Sequence, residues 1–272
     1  MKPLARQQQP WTDESVSRFW AYETQRNRDE SWYFSRQYGP ALLEIARRTG
    51  GLRGQVLDYS AARGHLIDLL LEERDVQGVR GVEFTAESVA ALNGRFQSRP
   101  KWQGALSLSQ WLGEHSVRYQ MVFCIEVIEH LDDRYLAEVF QQIYEALLPG
   151  GLAILSTPHA ECLEQSFVYC PFCESEFHAV QHVRSITRDS LAEWLRRADF
   201  DVMSCDACDL GKLAMCQQGR PWRDWSYNYL KRAARYRLLR CQDKYQTGQL
   251  ERLLKWLRTP QGPHLLAIAR KK

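Results

Sequence analysis

Val56-Leu57-Asp58-Tyr59-Ser60-Ala61-Ala62-Arg63-Gly64-His65-Leu66 is the stretch on which the fold turns. An apolar run ends in an acid, small residues follow, and a glycine opens the next amphipathic segment. That is a strand, a tight turn and a helix. Small residues at such a turn let backbone approach a ligand, and the helix N-terminus favours negative groups.

Outward from that turn, strands and helices alternate. Gln55–Asp58 reads as the first strand and His65–Glu73 as a helix. Gly78–Phe84 is a second strand, followed by a helix capped by Thr85. Trp102–Leu106 is a weak third strand. Tyr119–Ile125 is a strong fourth, with a helix over Arg134–Leu147. Pro149-Gly150-Gly151 is expected to turn into a fifth strand, Leu152–Pro158. A helix over Ser185–Ala198 precedes strands at Phe200–Cys205 and His264–Lys271. Alternation at this spacing predicts a doubly wound α/β sheet with its crevice at the carboxyl ends of the strands. Upstream, 13–48 reads as helical, with Thr12 or Asp13 as cap and Pro40 opening a second amphipathic piece.

Three further motifs carry chemistry: Glu83 after the second strand, Cys124-Ile-Glu-Val-Ile-Glu-His-Leu-Asp-Asp133 after the fourth, and Leu147-Leu-Pro-Gly-Gly…Ser156-Thr-Pro158 at the fifth. With the opening stretch, they resemble class I S-adenosylmethionine-dependent methyltransferases, in the branch containing ubiquinone-biosynthesis-type O-methyltransferases. The resemblance covers about residues 35–210 and the last strand. It implies a Rossmann-like seven-stranded sheet, helices on both faces and an antiparallel final hairpin. It also implies that Asp58 and the loop Ser60, Ala62, Gly64 hold the methionine end of the cofactor. Glu83 would take the ribose and Phe84 the adenine face, with Glu126 completing the cofactor set. Where the family has G-x-G-x-G, this chain has Ser60 and Ala62 in place of the first two glycines. A β-carbon there opposes positive φ.

Cys170-x2-Cys173-x4-His178-x3-His182 has the ligand types and spacing of a tetrahedral zinc site, closed and therefore structural. The alternative is an unmetallated loop whose His178 or His182 is hydrogen-bonded or lines the active site. Cys205 and Cys208 read as core residues. Glu126, Glu129 and His130 would share one helix face. Two carboxylates and an imidazole there could take a divalent metal with His178 or His182. That arrangement resembles small-RNA 3′-end 2′-O-methyltransferases, although their later H-x-F-E-W is Phe177-His-Ala-Val-Gln-His182 here. Otherwise His130 is a candidate general base, and His159 a second.

The chain has 272 residues and a net charge of +3. Residues 211–272 hold fifteen Lys and Arg against three acids. This basic end is read either as a solvated helix face or as the contact for an anionic partner, a phosphorylated or nucleotide-linked sugar, or RNA stacked on Trp222, Trp225, Tyr227, Tyr229 and Tyr236. No apolar run spans a membrane, and no leader is read at the start, so a cytoplasmic enzyme is expected. The eight cysteines do not form a secreted disulfide framework in a chain of this length. The expected organisation is a helical lid at 1–50, a core at 51–209 and 262–272 carrying the zinc-type loop at 168–184, and a basic helical insertion at 210–261. The expected reaction is methyl transfer to an oxygen of a small-molecule or glycan acceptor. The rival readings are metal-dependent RNA methylation and a scaffold that kept the fold without the cofactor.

Overall fold

A computed structural model describes residues 7–8, 10–26, 29–30, 33–113, 117–218, 227–242 and 249–272. After a two-residue strand β1 (Gln7–Gln8) come helices α1 (Asp13–Gln25) and α2 (Phe34–Arg48). The alternating core follows: β2 (Gly54–Tyr59), α3 (His65–Leu71), β3 (Val76–Glu83), α4 (Ala86–Phe96), β4 (Trp102–Ser107), α5 (Leu108–Gly113), β5 (Tyr119–Ile125), α6 (Asp133–Ala146) and β6 (Leu147–Pro158). A hairpin of β7 (Phe167–Tyr169) and β8 (Ser175–His178) precedes α7 (Arg188–Arg197) and β9 (Phe200–Cys208). Helices α8 (Leu210–Gln218), α9 (Tyr227–Gln242) and α10 (Gln249–Leu257) then lead to β10 (His264–Lys271).

The main sheet has seven strands in the order β4-β3-β2-β5-β6-β10-β9. Neighbours from β4 to β6 are parallel, and β10 runs antiparallel to both β6 and β9. Strand order reverses between β2 and β5, so the loops after them part and open a crevice. Side chains alternate between the faces. Val56, Met121 and Phe123 join the core under α2 and α3, while Leu57, Val122 and Cys124 join the core under α6 and α7.

Several sequence expectations change. The N-terminal region is two helices, and α2 begins at Phe34, six residues before Pro40, which sits inside it. Pro-Gly-Gly is not a turn ahead of the fifth strand. Strand β6 already starts at Leu147, and Tyr119↔Leu147 is followed by Met121↔Leu152, so the extra residues form a bulge with Gly150 at φ 73°. Strand β9 extends to Cys208. Cys205 and Cys208, three apart in a strand, point into opposite cores and cannot share a ligand.

Described residues of the helices after β9 pack into the main core. Leu210, Leu213, Tyr236, Leu253, Leu254 and Leu257 are buried in the same core as α2. Tyr236 stacks on Trp256 at 6.1 Å, so it is not a free platform for a base. Trp222 and Trp225 lie outside the described residues. No helix among the described residues is long and apolar enough to cross a membrane.

Candidate active site

A cavity of about 640 Å³ occupies the crevice at the strand ends. Strand β2 delivers Tyr59, Ser60, Ala61 and Ala62 to it, β3 delivers Glu83 and Phe84, and β5 delivers Glu126, Glu129 and His130. Helix α1 forms the facing wall with Val16, Phe19, Trp20, Glu23 and Thr24. Thr12 anchors the start of α1 through a reciprocal capping box with Ser15. Trp20 Nε1 donates to Gln181 Oε1 at 2.8 Å, and Thr24 and Ser88 share a hydroxyl hydrogen bond at 3.1 Å. The aromatic N-terminal helix is thereby tied across the crevice.

The altered glycine loop keeps a glycine backbone. Ser60 has φ 63°, Ala62 φ 48° and Gly64 φ 76°. The first two carry β-carbons in the left-handed region at a cost of roughly 1–2 kcal/mol each. Gly64 has no such choice, since a β-carbon there would meet the Phe96 ring at 2.5 Å. The β-carbons at 60 and 62 therefore do not abolish the loop geometry. Asp58 and Gly64 stand behind the loop rather than on the cavity surface. Glu83 accepts a hydrogen bond from the Ala62 N–H and another from the Phe84 N–H at 3.2 Å. Burial raises the Glu83 carboxyl to about 7 and Asp58, also opposed by Glu83, to about 8.

These residues fit S-adenosylmethionine. The small-residue loop offers backbone, Glu83 offers a carboxylate at the end of β3, and Phe84 is half-exposed beside them. Three buried polar atoms of cavity residues, Tyr59 Oη, His65 Nε2 and Glu129 Oε1, have no hydrogen-bond partner among the described residues. Buried polar atoms left this way seek a polar ligand.

The opposite wall is built from the motif after β5. It is not the expected helix. Glu126 adopts φ 54°, and only Ile128–His130 forms a 3-10 turn. The three side chains nevertheless reach one cavity. Glu126 accepts from Ser156 Oγ at 2.7 Å, and burial lifts its carboxyl to about 7. Glu129 accepts from Thr157 Oγ1 at 2.9 Å, and burial, then Glu126, holds its carboxyl well above the usual range. His130 Nδ1 lies 3.4 Å from the Gln181 carbonyl, and burial, then His182, pushes the imidazole down to about 3. The ring is neutral at physiological pH.

The four expected zinc ligands do not converge. Cys170 and Cys173 sit at the turn of the β7–β8 hairpin, whereas His178 pairs with Phe167 at its far end. Three residues of extended strand, roughly 10 Å, separate the two ends. His178 and His182 turn instead to Glu161, which the sequence reading did not single out. Among the described residues, the groups whose ligand-type atoms lie within 4.8 Å of one another are Glu129, His130, His182 and Glu161, His178, His182. Both groups have the chemistry to hold a cation, and neither includes a cysteine. His159 does not line the cavity either. Its N–H donates to the Pro263 carbonyl and its Nδ1 lies 3.2 Å from the Gly262 carbonyl, stapling β6 to the start of β10.

No described residue of 210–261 lines the cavity. Among the described residues, the lysines and arginines that line the cavity are Arg63 and Arg95. Arg63 is spent on Tyr33 and the Thr24 and Arg26 carbonyls, and Arg95 on Asp68 and the Arg63 carbonyl. The expected phosphate contacts from the basic helices are therefore absent from this cavity among the described residues.

No curated protein matches the chain. Solved structures resemble it at low identity. An S-adenosylmethionine-dependent methyltransferase from Clostridium acetobutylicum ATCC 824 superposes with TM-score 0.58 at 10% identity, over 93% of this chain and 98% of that one. The 1,6-didemethyltoxoflavin-N1-methyltransferase of Burkholderia thailandensis, bound to its acceptor and S-adenosylhomocysteine, gives 0.57 at 16%, over 97% and 92%. The N-methyltransferase NodS of Bradyrhizobium japonicum WM9, with S-adenosylhomocysteine, gives 0.53 at 11%, over 95% and 97%. Residues 19–204, which carry the loop, Glu83 and the whole β5 motif, match the family described as methyltransferase domain, and the chain belongs to that family of S-adenosylmethionine-dependent methyltransferases.

Proposed function

We propose that this protein transfers a methyl group from S-adenosylmethionine to a hydroxyl oxygen of a small-molecule or sugar acceptor. The observation that carries the reading is the single cavity, with the Ser60–Gly64 loop and Glu83 on one side and an electron-pair-rich wall on the other. Ser60, Ala62, Glu83 and Phe84 would hold the cofactor, with Asp58 and Gly64 shaping the loop from behind. When bound, the cofactor supplies an electrophilic methyl on a sulfonium sulfur. An imidazole of the wall would take the hydroxyl proton as the acceptor oxygen gains the methyl that the cofactor would release. His130 and His182 are the imidazoles that line the cavity beside Glu126 and Glu129, and His182 is the one to take the proton, because burial pushes the His130 imidazole down to about 3. A neutral imidazole accepts such a proton without a change of pH.

Helix α1 excludes water and orients the acceptor, so most of the rate would come from positioning. The carboxyl groups of Glu126 and Glu129 on the wall and the engaged arginines favour a neutral, hydroxyl-bearing acceptor over a phosphorylated one. The test is transfer of a radiolabelled methyl group from S-adenosylmethionine to a panel of sugars, phenols and amines. Labelled hydroxyl products support the reading, and exclusive labelling of amines overturns the oxygen assignment.

A further inference from the structure

His178 is fully buried, and its Nδ1 receives the backbone N–H of His182 at 3.1 Å and of Val180 at 3.4 Å. A ring nitrogen that accepts carries no proton, so the neutral ring keeps its hydrogen on Nε2. That Nε2 lies 3.3 Å from Glu161 Oε1 and donates to it. The other oxygen, Glu161 Oε2, lies 2.5 Å from His182 Nδ1. An ionised carboxylate only accepts, so His182 carries its hydrogen on Nδ1. Its Nε2 is left as a bare lone pair.

The position of the chain matters as much as its bonds. His182 lines the cavity, but Glu161 and His178 do not. They stand behind it, with the His178 ring stacked on His182 at 4.5 Å and 17°. On its other side His182 meets the His130 ring edge at 4.8 Å, beside Glu129. The Val183 N–H donates to the Glu129 carbonyl at 2.9 Å and pins the segment to the β5 motif. Without Glu161, nothing in this arrangement would hold the His182 hydrogen on Nδ1, and the ring could present an N–H to the cavity instead.

We propose that Glu161 and His178 are positioning residues, a His178–Glu161–His182 chain that fixes His182 so that its Nε2 accepts the hydrogen bond of the acceptor hydroxyl. This rests on the O-methyltransferase reading for the identity of the donor, but the tautomer itself does not. A partner that fixes one ring nitrogen sets what the other can do.

The test uses the whole chain labelled with [15N]histidine, with His182 assigned by comparison with His182→Gln. The expected spectrum has His182 protonated at Nδ1 and bare at Nε2. Glu161→Ala should move it to a mixture or to Nε2–H. Glu161→Asp, which keeps a carboxylate with two accepting oxygens, should retain the original form. Acceptor kcat/KM should fall at least tenfold in Glu161→Ala and recover at least in part in Glu161→Asp, with the affinity for S-adenosylhomocysteine unchanged in both. A wild-type His182 protonated at Nε2, or a tautomer indifferent to Glu161→Ala, overturns the proposal. So does a His182 Nε2 resonance shifted by stoichiometric Zn²⁺ or Mn²⁺, which would make it a metal ligand. Loss of S-adenosylhomocysteine binding in the wild type would sink the methyltransferase reading separately, leaving the tautomer result standing.

Discussion

The Glu83 carboxylate is hydrogen-bonded to the backbone N–H of Ala62, so the end of β3 holds the altered glycine loop in place. Because the loop is braced from outside, Ser60 and Ala62 can occupy left-handed backbone that small, unbranched side chains only just tolerate. Ala62→Val should break this balance, since a β-branched residue at φ 48° is strained well beyond alanine. We expect S-adenosylhomocysteine affinity to fall about tenfold, roughly 1.4 kcal/mol. Ala62→Gly should bind at least as tightly as the wild type. Isothermal titration of the three proteins checks both.

Glu83 sets a pH dependence of cofactor binding. Burial raises its carboxyl to about 7, so it becomes a full two-oxygen acceptor only above neutrality. Affinity for S-adenosylhomocysteine should rise between pH 6 and 8 by roughly tenfold, the scale of a charge-assisted hydrogen bond. Glu83→Gln should bind more weakly at pH 8 and show a flat profile. A wild-type profile as flat as that of the variant would remove Glu83 from the cofactor site.

Asp58 makes a stability prediction of opposite sense to a salt-bridged acid. Its folded pKa, about 8, lies above the value of 3.8 for an unperturbed aspartate. Between these values the folded chain holds a proton that the unfolded chain releases. The stabilisation is therefore complete below about pH 4 and is lost as pH rises toward 8. Asp58→Asn removes the penalty. The cofactor-free variant should gain roughly 1 kcal/mol or more at pH 8, about 2–4 °C in Tm, and little at pH 4.5. Thermal melts across that range decide it.

Trp20 ties α1 across the cavity through Gln181. Trp20→Phe keeps the ring but leaves the buried Gln181 amide without that donor, a loss of about 1 kcal/mol. We expect a several-fold faster release of S-adenosylhomocysteine in stopped flow, with the sheet and its far-UV signal unchanged. Equal release rates in both proteins would mean that α1 does not gate the cavity.

The strand–helix alternation was legible because each core strand is a dense apolar run with a turn after it, as in Tyr119–Ile125. The loop, Glu83, Phe84, Glu126 and His130 were legible too, because strand ends place them in the crevice whatever the side-chain details. The cysteine–histidine site was not. Sequence spacing counts residues, while a β-hairpin spreads them along its length, so Cys170 and His178 part. Glu161 gave no signal, since its partners lie seventeen and twenty-one residues away and meet it only after the chain has turned through the hairpin. His159 fits a general-base pattern yet serves as a staple, because Gly262 and Pro263 approach it from the other end of the chain. The left-handed Glu126 could not be read from a motif that looks helical by spacing.

The most direct test of the account is calorimetric titration of S-adenosylhomocysteine into the purified whole chain. One molecule bound per chain with micromolar affinity, weakened by Ala62→Val, is the predicted result. Folded protein that takes up no S-adenosylhomocysteine or S-adenosylmethionine would contradict the claim that the Ser60–Gly64 loop still cradles the cofactor.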